Sequence, residues 1–361
     1  MLAAELRPRS LHVEEWPISH RAAWLEACRP AIRLKRGGAA SHLAPASRHD
    51  IANRYGLYLD HLWRNGLLNR DLGVAELVTP PNVKGFVAEL GVRVRSVTLW
   101  NSVYKLRRAS ELMATDTDFA WLAEIERDIA VVMQPRSKDD RLVMADRLLE
   151  AGLALIHDAE VSAKTANGQA RGVRNGLMIA LLALHPLRIK NFGTLRIGET
   201  IRRLEGQLWL TVRARDTKSC RVDVRRVPEF MNATIDRYVE QYRPVLFGSK
   251  AVDATFWVSS TRGRQFTVKN MGTLITRITM RTVGVDVSPH LFRMAAASMA
   301  AIEKPAMPSL GANILGHRDQ YTTEKHYNRP GSVHAGVALT EIVAAYRVPG
   351  DPRQGVRRSR F

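Results

Sequence analysis

The longest apolar run of the sequence, Leu177 to Leu184, completes a leucine- and alanine-rich stretch that begins at Val173 and stops at His185-Pro186. Proline disfavours helical geometry in the residue before it, so this stretch predicts a helix that ends at the dipeptide. The run is too short to span a bilayer. We therefore expect a buried helix around which one domain of a globular protein packs.

Composition limits the size and the partner of the protein. With 361 residues, 45% of them hydrophobic and 25% charged, the chain is long enough for two domains, each with its own core. Its formal charge of +19 and pI near 10.5 indicate a polyanionic partner, either a nucleic acid or an acidic membrane surface. The first residues lack the charged-then-apolar order of a secretory signal, so we expect a cytoplasmic protein with no membrane-spanning segment.

The sequence shows no pattern typical of a metal or nucleotide site. Its two cysteines, Cys28 and Cys220, cannot form a zinc site or a disulfide framework. It contains no G-x-x-x-x-G-K-[ST] loop, and its acidic residues do not cluster as in a two-metal nuclease. We expect neither a metal nor a cofactor. A basic protein of this kind can still cut a phosphodiester if it supplies its own nucleophile and its own cations.

The first third of the chain is predicted to be helical. Trp16 and Trp24 suggest a short helix within residues 1–44, and the sequence from Lys35 resembles a flexible link; we assign this extension no function. Residues 45–134 then carry four apolar-periodic segments. Their start signals are Ser47-x-x-Asp50, Thr79-Pro80, Ser96 and Asp118. Four helices in this length predict a compact helical domain.

A second domain is predicted to begin near Asp140, after a polar, proline-marked linker that starts at Pro135. Two alternating segments, residues 206–213 and 220–228, predict antiparallel strands joined by a turn that contains Lys218. The other predicted elements are helices, at 142–156, 228–246 and 268–282 and from Pro289 onward, with Ser288 as its cap.

Six residues in this domain stand out by their order: Arg188, Lys218, His290, Arg293, His317 and Tyr327. Taken alone, each of these residues also has an ordinary explanation that involves no catalysis. Arg188 fits a cation at a helix end, Lys218 an exposed turn lysine, and H-x-x-R pairs such as His290 and Arg293 arise often by chance. In this order they resemble the signature of the tyrosine recombinase, or phage integrase, family. The resemblance covers residues 45 to 347 and is strongest from 170 to 330.

The resemblance implies a site-specific DNA recombinase, of the integrase or excisionase type, that acts through a 3′-phosphotyrosine intermediate without metal or ATP. It implies a multidomain α and α+β fold: a helical core-binding (SAM-like) domain at 45–134, and a mostly helical catalytic domain with a small antiparallel sheet at 140–347. In the family, the two arginines and His317 bind the phosphate, His290 accepts or relays a proton, Lys218 acts as general acid and Tyr327 is the nucleophile.

The implied partner is a double-stranded recombination site on a mobile genetic element in the bacterial nucleoid. A homo-tetramer would hold two duplexes, with possible accessory DNA-bending or directionality proteins. The trailing helical pattern from Leu339 to Tyr346 would dock on a neighbouring protomer or within its own chain, and the tail at 348–361 is basic. Six cations of the first domain suit DNA contact, although solvated helix faces often carry such charges: Arg48, Arg54, Arg64, Lys105, Arg107 and Arg108.

Two positions depart from the common family pattern. Asn191 stands where an acidic residue usually follows the first arginine by three positions. The tyrosine usually lies nine residues after the G-H histidine, a position occupied here by His326, so that Tyr327 is one residue further on. One residue turns a helix by about 100°, so the extra residue must be absorbed in the loop or in a distorted turn. Tyr321 is the other nearby phenol and the weaker candidate.

Two other functions remain open at this point. A type IB topoisomerase would use the same chemistry to relax supercoils as a monomer, but the two-domain length and the trailing helical pattern favour a recombinase. A non-catalytic DNA-binding protein could keep the same fold. The presence of chemically competent residues at all six positions argues against that reading.

Overall fold

The computed structural model describes residues 10–315 except 136, 218, 219, 251, 261, 262, 305, 306 and 308. The chain divides into two compact units, Met1–Ser137 and Lys138–Phe361. The division falls inside the segment that the sequence marks as a linker. Each unit has its own cluster of buried apolar side chains.

The described part of the first unit is helical. Its α-helices are α1 (Ile18–Ala27), α2 (Pro45–Arg64), α3 (Val74–Leu77), α4 (Pro80–Arg93), α5 (Ser96–Met113) and α6 (Ala120–Val131). The four predicted helices are confirmed as α2, α4, α5 and α6. Thr79 is the N-cap residue of α4, as its sequence predicts, whereas α2 begins at Pro45, so Ser47 and Asp50 lie within its first turns.

Residues 10–44 belong to the core of the first unit. Leu11, Trp16 and Trp24 are buried in the same cluster as Tyr55 of α2. The Trp16 ring meets the Tyr55 ring edge-on at 5.0 Å, and the Trp16 indole N–H donates to the carbonyl of Leu11 at 3.0 Å. The boundary predicted at residue 45 therefore does not separate an extension from a domain, because Trp16 and Trp24 share one buried cluster with α2. Ala40, in the predicted flexible link, is fully buried.

The described part of the second unit combines helices with two small sheets. Its described α-helices are α7 (Ala145–Ser162), α8 (Ala166–Leu184), α9 (Ile189–Gly193), α10 (Asn232–Arg237), α11 (Arg243–Phe247), α12 (Val268–Val283), α13 (Pro289–Glu303) and α14 (Leu310–Leu315). The helix predicted at 228–246 forms in pieces, with a π-helical turn at Tyr238–Tyr242 between α10 and α11. The predicted fold class, helical with a small antiparallel sheet, is confirmed.

The larger sheet has the antiparallel order β1-β2-β3, with β1 at Ile201–Leu204, β2 at Gln207–Val212 and β3 at Asp223–Arg226. The two strands predicted around Lys218 are confirmed as β2 and β3, whereas β1 was not predicted. Alternation along β2 buries Leu208, Leu210 and Val212 on one face. A second pair, β4 (Val258–Ser259) and β5 (Arg264–Gln265), is also antiparallel.

The predicted buried helix, α8, is central to the second unit. All residues from Gly176 to Ala183 are buried, and the helix ends at Leu184, immediately before His185-Pro186. Its main partner is α7, and the two helices approach closely at a pair of glycines. A Cβ atom on Gly176 would lie 2.5 Å from the carbonyl oxygen of Gly152, and one on Gly152 would lie 2.6 Å from the amide nitrogen of Ala180.

None of the helices in the described ranges has the length and apolar character needed to cross a membrane.

The glycine contact predicts a large effect from a single methyl group. We expect Gly176→Ala to lower the free energy of unfolding by about 1–3 kcal/mol, because the methyl group must push two packed backbones apart. The measurement is urea unfolding of the full chain followed by circular dichroism. Gly272→Ala in α12 is the matched control: no atom lies within 4 Å of its added Cβ, so it should stabilise the helix by about 0.5–1 kcal/mol. Equal effects from the two variants would contradict the close helix contact.

Candidate active site

The turn between α8 and α9 presents Arg188. This residue is the N-cap of α9, in extended geometry, and its side chain is half-buried. The side chain of Arg188 makes no hydrogen bond or ion pair with another residue of the described ranges. Asn191, one turn further on, is buried and supplies an amide where a carboxylate was expected. The guanidinium of Arg188 is thus held by its backbone position rather than by a described acidic partner.

The first turn of α13 carries the other described site residues. Ser288 is the N-cap and Pro289 the first helical residue, as predicted. His290 is exposed, whereas Arg293, three residues later, is only 6% exposed. Residues three apart lie on neighbouring positions of one helical face, so the two side chains project to the same side at different depths.

Arg293 connects the segments that carry the motif. One guanidinium nitrogen, Nη1, donates to the carbonyl of Pro186 at 2.6 Å, and Nη2 donates to the carbonyl of Leu315 at 2.8 Å. Pro186 precedes Arg188 by two residues, and Leu315 precedes His317 by two. These two bonds use two of the five N–H groups of a guanidinium. The structure therefore brings together the α8–α9 turn, α13 and the end of α14.

The remaining predicted catalytic residues, Lys218, His317 and Tyr327, lie outside the described residues, as do Tyr321 and the trailing segment. The strands on either side of Lys218 are described. Their last pair before the turn is Val212 and Asp223.

A second arginine contact was not predicted from the sequence. Arg225 of β3 donates through Nη2 to the carbonyl of Ile314 at 2.8 Å and is held by the carboxylate of Asp223, at 2.9 Å from Nε and 2.8 Å from Nη2. The signal was present in the strand alternation, which puts Asp223 and Arg225 on the face of Val212 and Leu210. A charged pair on a predicted buried face indicates a specific polar contact.

His185 lies next to this pair. It is the C-cap residue of α8 and is 8% exposed, and its Nε2 has no hydrogen-bond partner among the described residues. Burial, followed by the positive charge of Arg225, lowers the pKa of His185 to about 4. The imidazole is therefore neutral at neutral pH, which avoids repulsion with the partly buried guanidinium of Arg225.

All six cations proposed for DNA contact have partners inside the first unit. The guanidinium of Arg48 donates to the backbone carbonyls of Cys28, Ser41 and Leu43, at 3.2, 2.6 and 3.0 Å. Arg54 donates to the hydroxyl of Ser102 at 3.2 Å. These two arginines cross-link segments that are distant in sequence.

The other four cations form ion pairs. Arg64 contacts Asp60 at 2.9 Å and Glu89 at 2.6 Å, and Lys105 lies 3.4 Å from Asp50. Arg107 binds Glu126 at 2.5 Å and Glu111 at 2.6 Å, while the neighbouring Arg108 binds the other oxygen of Glu111 at 2.8 Å. The hydrogen bonds that Arg107 donates to the carboxylate of Glu126 outweigh the cost of burial and raise the pKa of Arg107. Each of these cations would have to loosen an existing pair to bind a phosphate.

Metal ligands do not cluster in the described ranges: they contain no group of three His, Cys, Asp or Glu side chains placed to hold an ion.

Comparison with known proteins gives a family match and a set of similar solved structures, among them two recombinases. Residues 156–332 match the sequence model of the phage integrase family. The structure of XerH site-specific recombinase, bound to difH substrate as a pre-cleavage complex, is 12% identical with a TM-score of 0.54; the match covers 81% of this chain and 80% of that one. XerA recombinase is 16% identical with a TM-score of 0.37, covering 86% and 96%. No curated protein sequence matches. At these identities the likeness to XerH concerns the fold.

The ion pairs of α5 predict that two adjacent arginines differ in their effect on stability. We expect Arg107→Met to lower the free energy of unfolding by about 2–4 kcal/mol, because it leaves the buried carboxylate of Glu126 without its partner. Arg108→Met removes a more exposed contact and should cost at most about 1 kcal/mol. Urea unfolding of both variants checks this. Similar losses in the two variants would show that Arg107 does not act as an internal cross-link.

Proposed function

Through residues 156–332 the chain belongs to the phage integrase family, and from this premise we propose that it is a site-specific DNA recombinase that cuts and rejoins strands through Tyr327. The fold similarity to XerH, a site-specific recombinase solved on its DNA substrate, supports the proposal. So does the charge of +19, which suits a phosphate backbone.

The observation that carries the proposal is the pair of hydrogen bonds made by Arg293. They tie the backbone just before Arg188 to the backbone just before Gly316-His317, over sequence separations of 107 and 22 residues. Two segments that are far apart in the chain, and that lead to Arg188 and to His317 in the sequence, thereby contact the same side chain. An accidental H-x-x-R match would have no reason to connect the other two motif segments.

In the proposed reaction the phenol oxygen of Tyr327 attacks the phosphorus, and the 5′ oxygen of the next nucleotide leaves. The crowded transition state carries extra charge on the nonbridging oxygens, which Arg188 and Arg293 stabilise more than they stabilise the ground state. A guanidinium matches two phosphate oxygens and keeps its proton, and its charge also favours ionisation of a phenol whose ordinary pKa is about 10. The covalent phosphotyrosine conserves the bond energy for rejoining.

The other three residues move or share protons. His317 donates a hydrogen bond to the same phosphate, and His290 accepts or relays the tyrosine proton. Lys218 protonates the leaving oxygen, a role that suits lysine in general because an ammonium group can lose its proton, whereas arginine stays charged. In this mechanism no step requires a metal ion or a nucleotide cofactor.

The proposed partner is a double-stranded recombination site of a mobile genetic element, bound by a homo-tetramer on two duplexes, with accessory proteins setting the direction of integration or excision in the bacterial cytoplasm. The first unit clamps the DNA. Among its six candidate cations, Lys105 and Arg108 are held by pairs of the surface type, which phosphates can replace at small cost. We assign Arg48 and Arg107 to stability, because their contacts are internal.

The nucleophile is tested by trapping the covalent adduct on a nicked DNA substrate. We expect Tyr327→Phe to keep DNA affinity and to form no adduct, because phenylalanine has no oxygen to attack the phosphorus. Tyr321→Phe, the matched control, should form the adduct normally. The readouts are denaturing gels and mass spectrometry of the modified peptide.

Two results would overturn this assignment. One is a nucleotide attached to Tyr321 in the mass spectrum, and the other is an adduct formed by the Tyr327→Phe protein. If no covalent adduct forms with the unaltered chain on any cognate DNA, the recombinase proposal itself fails.

A further inference from the structure

The carboxyl end of α14 is held by two arginines from different elements. The carbonyl of Ile314 accepts from Arg225 of β3, and the carbonyl of Leu315 accepts from Arg293 of α13, each at 2.8 Å. The last carbonyls of a helix have no partner within it. The six described residues of α14 are also too few to be stable as an isolated helix. The position of its end therefore depends on these two guanidinium groups.

Arg225 is well fixed for this task. Its side chain is 13% exposed, and Asp223 on the same strand face holds both Nε and Nη2. The fork geometry of arginine allows one side chain to bind a carboxylate and a carbonyl together, which a lysine ammonium does less well. Cations are also favourable at the negative end of a helix.

Both arginines that bind the end of α14 also act on residues at the α8–α9 turn. Arg293 bonds directly to Pro186, and Arg225 lies close enough to His185 to act electrostatically on it. The neutral imidazole of His185 allows a guanidinium to stay buried beside it. The two arginines thus act in parallel, from the sheet and from α13.

We propose that Arg225 is a positioning residue for strand cleavage: it fixes the described end of α14, the segment from which the chain leads directly to His317. The inference rests on the proposed function, in which His317 binds the scissile phosphate. His317 follows Leu315 by two residues in the chain, so a fixed Leu315 carbonyl restricts where His317 can lie. Misplacement of a catalytic group by about 1 Å can cost about 100-fold in rate.

The test compares two adjacent arginines of β3. Arg225→Gln removes the contact with Ile314, whereas Arg226→Gln alters a more exposed side chain that binds Gln207 and Glu229 instead. Single-turnover cleavage is measured on a nicked substrate at saturating protein. We expect Arg225→Gln to slow cleavage by about 10- to 100-fold with unchanged DNA affinity. Arg226→Gln should cleave at the original rate.

Double variants separate positioning of His317 from a general loss of structure. If Arg225 acts through His317, then adding Arg225→Gln to the His317→Ala protein should reduce the cleavage rate little further. Adding Arg225→Gln to the Lys218→Ala protein should instead reduce the rate by the same factor as in the unaltered chain. If Arg225→Gln does not fold, Arg225→Lys, which keeps the charge beside Asp223, replaces it in the same comparison of single and double variants.

Three outcomes would overturn the inference. The first is a double variant whose fold-reduction in cleavage rate is the product of those of Arg225→Gln and His317→Ala. The others are equal reductions in cleavage rate for Arg225→Gln and Arg226→Gln, and an Arg225→Gln protein that loses only DNA affinity. The fate of the proposed function is read separately. If the unaltered chain forms its adduct while Arg225→Gln cleaves at the same rate, only the role of Arg225 is refuted. If the unaltered chain forms no adduct, the proposed function fails first.

Discussion

The second unit depends on a buried guanidinium that is bound to the backbone. Arg293 is 6% exposed and donates to two carbonyls that belong to segments far apart in sequence. Burial of a charge is costly unless hydrogen bonds compensate for lost water, and a hydrogen bond to a charged group contributes about 1.5–3 kcal/mol. These bonds fix the turn before Arg188 and the end of α14 in relation to α13. The same side chain is thus both a structural cross-link and a proposed phosphate ligand.

Arginines bound to carbonyls recur in both units. Hydrogen bonds to backbone carbonyls are donated by the guanidinium groups of Arg48, Arg174 and Arg243. Burial lowers the pKa of Arg174 to about 10, so this group stays charged at neutral pH. Because carbonyls do not neutralise a cation, these cross-links add to the positive field of the protein as well as to its stability. The net charge of +19 therefore reflects internal structure as well as surface.

Local sequence signals predicted the elements well where a proline or a cap marks an end. The stop of α8 at His185-Pro186 and the starts of α4 and α13 are examples, because each depends on neighbouring residues. Strand β1 was missed, since four residues with a single buried side chain give no alternation to detect. The boundary at residue 45 was misplaced because Trp16 and Trp24 pack on residues distant in sequence.

The order of the motif residues could be predicted from the sequence, but the contacts of the neighbouring cations could not. The contact from Arg225 to Ile314 spans 89 residues, and the partner of Arg107 lies 19 residues away in another helix. A sequence shows that such a cation exists, yet only the fold decides whether its neighbour is solvent, a carboxylate or a carbonyl. This is why the candidate DNA contacts of the first unit divide into internal cross-links and surface pairs only once the structure is known.

The proposed cleavage reaction is tested most directly by asking whether Arg188 stabilises negative charge on the nonbridging oxygens of the phosphate. A methylphosphonate replaces one nonbridging oxygen by a methyl group and removes the negative charge that an arginine would stabilise. Since Arg188 has no partner among the described residues, Arg188→Ala should fold normally. We expect Arg188→Ala to slow cleavage of ordinary DNA by about 100- to 1,000-fold but to have far less effect on a methylphosphonate substrate. An equal loss on both substrates would contradict this role of Arg188.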